Sequence, residues 1–252
     1  MPGHVVLRPV FLLYLLIIDR KLSSKVREIL VFLRYYPLYT GVFIALVPIC
    51  ILIFKWRRLD TPSRLLFFWL VCQFVADIAM IYYAATGQNN IWIHNLMIPL
   101  RYVLLSGMLL GFLESAHSKY WIRVSMPLFL LFAFVDIYYS DNESSSLDGY
   151  FYVRYSAIVE CFLMLLWILL YFYELFRSLK IKNLLKSPGF LTAVAWLCFY
   201  ASMVFFAPVF YYISRSRRVI QLGVLEIVPD CMEILTVLIL AVAVSFISTG
   251  YD

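Results

Sequence analysis

One arginine inside an apolar run constrains this chain more than any other feature. Residues Ile91 to Glu114 read IWIHNLMIPLRYVLLSGMLLGFLE, and within them lie His94, Asn95, Pro99 and Arg101. About 20 apolar residues make one membrane-spanning helix. An arginine near the centre of such a helix costs roughly 2.5–3.5 kcal/mol on insertion scales. The rest of the chain must therefore supply a bundle interior for Arg101 to face and an acid to meet it.

The remaining sequence has the material for such a bundle. Of 252 residues, 64% are hydrophobic and 14% charged. Soluble domains are about 45–50% apolar and about 25% charged, so the solvent of this chain is lipid. Seven apolar segments follow one another: Pro37–Phe54, Leu65–Ala85, Ile91–Leu113, Tyr120–Tyr139, Tyr150–Phe176, Gly189–Ile213 and Gln221–Ile247. The expected fold is all-α, a polytopic bundle of seven transmembrane helices over 37–248 with a short tail at 249–252. Short loops make consecutive helices antiparallel neighbours. Residues 1–36 stand apart. Val10 to Ile18 is too short to span, and Asp19 to Arg34 is basic and partly amphipathic. This region is expected to be an interfacial or re-entrant segment, or an extension absent from the mature chain.

The net charge of +6 does not imply nucleic acid, because the basic residues sit between apolar segments, where they set orientation and meet anionic lipid. Lys55, Arg57, Arg58, Arg64, Lys119, Arg123, Arg177, Lys180, Lys182 and Lys186 follow odd-numbered segments. Arg215, Arg217 and Arg218 count the other way. The excess places the odd loops and the carboxyl terminus on the cytoplasmic side. Tyr82, Tyr83, Trp92, Tyr138, Tyr139, Tyr211 and Tyr212 fall at the expected interfaces, as anchoring rings do.

Helical spacing sorts the polar residues within the spans, since residues three, four or seven apart share a face. Gln73 and Asp77 share one, as do His94 and Arg101. Glu226, Asp230 and Glu233 form one acidic stripe, and the fifth segment adds Glu160. At about 1.5 Å per residue, Arg101, Asp77, Glu160, Asp230 and Glu233 reach a common depth in the outer half of the bilayer. Ionisable groups in membranes face a bundle interior or a wet cavity, and usually pair. The expectation is an outward-opening pocket among the second, third, fifth and seventh helices. Asp77, His94, Asn95, Arg101, Glu160, Glu226, Asp230 and Glu233 bind or couple there, with Asp230 or Glu233 as the counter-ion of Arg101. A clamp that fixes helix packing and binds nothing is the competing reading. Pro48, Pro99, Pro127, Pro208 and Pro229 interrupt helices, which neighbouring groups make tolerable in membranes.

Several chemistries find no residues. The seventh segment has no lysine for a retinal Schiff base. The three histidines are far apart, and Cys50, Cys72, Cys161, Cys198 and Cys231 each stand alone in apolar sequence, so neither a metal nor a cofactor is expected. There is no HExxH, no GxSxG and no phosphate-binding glycine loop, and no catalytic residue is assigned.

The runs FKWRRLDTPSRLLFFWL, NNIWIHNLMIPLRYVLL and YFYELF with IKNLLKSPGFL resemble a family of small seven-helix inner-membrane proteins common in Bacteroidota. The resemblance covers Tyr36 to Ile247. Its members often occur near sensor histidine kinases, which implies a sensing or partner role. Relatives are expected to carry an acid around the third helix where this chain has Arg101, and no catalytic residue is carried over. The function expected is a non-enzymatic membrane sensor or accessory protein, with a signalling protein at its basic cytoplasmic loops. A small-solute or ion transporter using the same carboxylates is the alternative, and a lipid-modifying enzyme the next.

Overall fold

The structure, a computed structural model, describes residues 37–144, 155–178, 183–215 and 223–247, with side chains at 41–139, 155–178, 183–209, 228–229 and 231–247. The expectation for residues 1–36 lies outside the described residues. A 3-10 stretch, Pro37–Ala45, leads into α1 (Leu46–Phe54). Then come α2 (Thr61–Ala85), α3 (Ile91–Phe112), α4 (Ala116–Ser144), α5 (Ser156–Ser178), α6 (Pro188–Arg215) and α7 (Gly223–Ser245). The seven expected segments are thus seven helices in an all-α bundle. Five of them, α2 to α6, are long and apolar enough to cross a membrane, and Gly41–Phe54 and Cys231–Ser245 are shorter apolar helices.

Carboxylates set several helix starts. Asp60 accepts from the Ser63 amide at 3.1 Å, with Pro62 in the first turn. This cap starts α2 at Thr61, ahead of the apolar run at Leu65. Asp136 on α4 accepts from the amides of Tyr155 (3.0 Å) and Ser156 (2.7 Å) and so begins α5. Glu174 on α5 accepts from the amides of Glu114 (2.9 Å) and Ser115 (3.2 Å) and from the Ser118 hydroxyl, which starts α4. Each carboxylate satisfies amides that the helix itself leaves without partners.

Helices adjacent in sequence pack side by side, and α1 also packs on α7, while α3 packs on α5. Six helices, α1, α2, α3, α5, α6 and α7, therefore form a ring, with α4 outside against α3 and α5. In α3, 56% of the apolar window is buried against 22% in α4, so α3 is the inner helix and α4 is mostly lipid-facing. The α2–α3 approach uses small residues: a Cβ on Gly111 would lie 2.2 Å from Pro62 Cγ, and one on Gly107 would lie 3.2 Å from Leu65 Cδ1. Two glycines four apart let helix backbones close in this way without a hydrophobic drive.

The ring closes at one end through Lys55. Its Nζ donates to the carbonyls of Val244 (3.2 Å), Ser245 (2.7 Å) and Ile247 (2.7 Å). A cation at a helix carboxyl end meets both orphan carbonyls and the negative end of the dipole. The carboxyl ends of α1 and α7 thus lie on one face, together with Arg57, Arg58 and the Glu174 cap. Near that face the interior is packed solid: Leu52, Leu66, Leu105, Met108 and Leu109 are buried.

Candidate functional site

The polar chemistry lies in the opposite half of the bundle. A cavity of about 290 Å³ is lined by residues of α2, α3, α5, α6, α7 and the stretch before α1. Its lining extends to Met80, Asn90, Ile91 and Ala157, at the end where α2 finishes and α3 and α5 start. On α2 it reaches down to Trp69, eleven residues or about 16 Å below Met80.

Arg101 forms part of the wall, and its charge is met from behind. Its Nε donates to Glu160 Oε1 and its Nη2 to Glu160 Oε2, both at 2.6 Å. Glu160 is fully buried, and the Tyr200 hydroxyl donates to its Oε1 at 3.0 Å. The guanidinium also lies 5.6 Å from the centre of the Phe199 ring. This two-pronged, hydrogen-bonded geometry is the form in which a buried ion pair holds together. Depth suggested Asp230 or Glu233 as the counter-ion; among the described residues Arg101 is paired with Glu160. The physical reason is direct packing of α3 on α5, which depth along a helix cannot reveal.

The spacing rules place other residues as expected. Asp77, His94, Arg101 and Glu233 all line the cavity. Gln73 Nε2 donates to Asp77 Oδ1 at 2.8 Å, the i to i+4 contact expected on α2. Asn95 is buried but does not line the cavity. The side chains of Glu226 and Asp230 lie outside the described residues. Sequence reasoning missed Trp69, which is 4% exposed, lines the cavity and packs edge-on against Trp196 at 4.4 Å. Its position four residues before Gln73 on the Asp77 face was the available signal.

Two polar atoms of this wall lack partners: Trp69 Nε1 and Gln73 Oε1 are buried without a hydrogen bond among the described residues. Buried polar groups are normally satisfied by protein, water or ligand. Trp69, Gln73 and Asp77 follow one another at every fourth residue, so donor, acceptor and carboxylate stack up one helix face. Among the described residues no three His, Cys, Asp or Glu side chains group as metal ligands. Elsewhere the polar contacts are structural: Trp167 Nε1 donates to Tyr102 Oη (3.1 Å), and Tyr102 shares a 2.7 Å hydrogen bond with Ser125. His117 is exposed and accepts from Trp121 Nε1 at 3.0 Å.

Fold and site together define a multi-pass helical membrane protein with a polar cavity between its helices. No protein family matches the chain, and no curated protein or solved structure is significantly similar to it.

Proposed function

We propose that this protein is a non-enzymatic membrane sensor or accessory protein, and that its cavity receives a small ligand from outside a bacterial inner membrane. The observation that carries the reading is the wall of the cavity. Arg101 is already neutralised by Glu160, yet the helices leave between them a space of about 290 Å³ lined by Asp77, His94 and Glu233. A clamp alone needs the ion pair and no cavity. The packed core beneath the cavity favours binding over passage.

The basic cytoplasmic loops are the docking side for a signalling partner in this reading, and the carboxyl terminus is cytoplasmic. The resemblance read over Tyr36 to Ile247 implies the same role. The test pairs purification of the tagged chain from its native membranes with flux measurements in liposomes. A sensor is recovered with a stoichiometric membrane or kinase subunit and carries no cation current. A protein recovered alone that conducts or exchanges cations overturns the reading in favour of transport.

A further inference from the structure

Arg101 uses only one edge of its guanidinium on Glu160. Nε and Nη2 make the two 2.6 Å hydrogen bonds. The third nitrogen, Nη1, makes none among the described residues. Nor is it sealed. The buried polar side-chain atoms without a partner belong to Trp69, Gln73, Ser156 and Trp196, and the Arg101 side chain keeps 10% of its surface. The open space beside that side chain is the cavity, of which Arg101 is a wall. Asp77 stands alike. Its Oδ1 accepts from Gln73 Nε2, while Oδ2 has no partner among the described residues and is not one of the sealed atoms. Asp77 lines the same cavity. Arg101 and Asp77 lie within each other's electric field but make no ion pair with each other, so a gap separates them. His94 and Glu233 border the same space, and each already interacts with another group.

The cavity thus presents an N–H donor at Arg101 and a carboxylate oxygen at Asp77. A ligand carboxylate would set a second acid on a guanidinium that Glu160 has already neutralised. A ligand ammonium would satisfy Asp77 and leave Nη1 without an acceptor. A zwitterion has both groups but must shed the hydration of two charges on entry, and burying charge costs far more than burying an amide. We infer that the cavity selects a small neutral molecule of the amide class, whose carbonyl oxygen accepts from Arg101 Nη1 and whose N–H donates to Asp77 Oδ2. Hydrogen bonds with one ionised partner are roughly twice as strong as neutral ones, so an uncharged ligand gains at both ends. Its apolar part lies against Trp69, Leu70, Ile234 and Val237, which line the deeper wall. The inference rests on the ligand-binding reading of the cavity and gives that ligand a chemical class.

The test is equilibrium binding of tritiated benzamide to the full chain in lipid nanodiscs, with empty nanodiscs as the blank. Benzoate, benzylamine and acetophenone compete; the first two carry a charge, and the third keeps the carbonyl without the N–H. The expected result is saturable binding, displaced by unlabelled benzamide at a concentration at least tenfold below that of any of the three. Asp77→Ala weakens benzamide at least fivefold and narrows its advantage over acetophenone. The double variant Arg101→Met with Glu160→Met removes the ion pair as a unit and leaves neither charge unpaired; it weakens benzamide and acetophenone alike. Glu174→Ala loses a cap remote from the cavity and keeps full binding. Elution of each variant as a monodisperse species shows that it has folded.

Displacement by benzoate or benzylamine at the concentration of benzamide, or saturable binding of either one in tritiated form without benzamide binding, overturns the amide inference and leaves the cavity reading standing. Equal displacement by acetophenone overturns the N–H contact to Asp77. Unchanged binding in the double variant overturns the contact to Arg101 Nη1. Equal loss in Glu174→Ala assigns the effects to stability and overturns both contacts. No saturable binding of any of the four compounds in tritiated form overturns the amide inference and the ligand-binding reading together.

Discussion

Arg101 and Glu160 stabilise the bundle as a pair and endanger it as individuals. Removing one partner of a buried ion pair leaves an uncompensated charge, at a cost of about 3–5 kcal/mol, whereas replacing both with well-packed apolar residues is often neutral. Arg101→Met and Glu160→Met should each lower stability by about that amount, and the double variant should recover most of the loss. Unfolding by sodium dodecyl sulfate in mixed micelles measures all three. Additive losses in the double variant would show that the two side chains do not act together. Which residues share a helix face was legible in the sequence, because Gln73 with Asp77 and His94 with Arg101 depend on one helix alone. The partner of Arg101 was not. Glu160, Asp230 and Glu233 have similar depths, and only the lateral order of helices distinguishes them.

At the level of the helices, starts are fixed by carboxylates borrowed from neighbours. Glu174→Ala should cost about 0.5–2 kcal/mol, the usual range for a lost cap. It should also speed amide hydrogen exchange at Ser115 to Ser118 while leaving α6 unchanged; uniform exchange across the bundle would refute a local capping role. The Gly111 contact is less forgiving. A leucine there must displace Pro62, since even its Cβ would lie 2.2 Å from Pro62 Cγ. Overpacking of this kind costs about 1–3 kcal/mol, and Gly111→Leu should show it in the same micelle assay, against no loss for Leu96→Ala on the exposed side of α3. The Asp60 cap lies within four residues of sequence and could be read there. The caps from Asp136 and Glu174 could not, since each donor and acceptor come from different helices and leave no local pattern.

For the whole molecule, seven helices and their order were plain from the apolar segments, while the ring with α4 outside was not. Lateral position depends on which faces fit, and nearly uniform apolar composition hides those faces. Orientation has its own test. Arg58 and Gln88 are exposed at opposite ends of the bundle. In intact cells an impermeant maleimide should label Gln88→Cys and spare Arg58→Cys until the membrane is opened; the reverse pattern would invert the topology.

The hold of Lys55 on the last turn of α7 also has a consequence for biosynthesis. The ribosome delivers Lys55, just past the end of α1, about 190 residues before the carbonyls that it grips. Until then the cavity lacks the wall that α7 supplies through Pro229, Glu233, Ile234 and Val237. The polar interior is therefore closed only once α7 has been made.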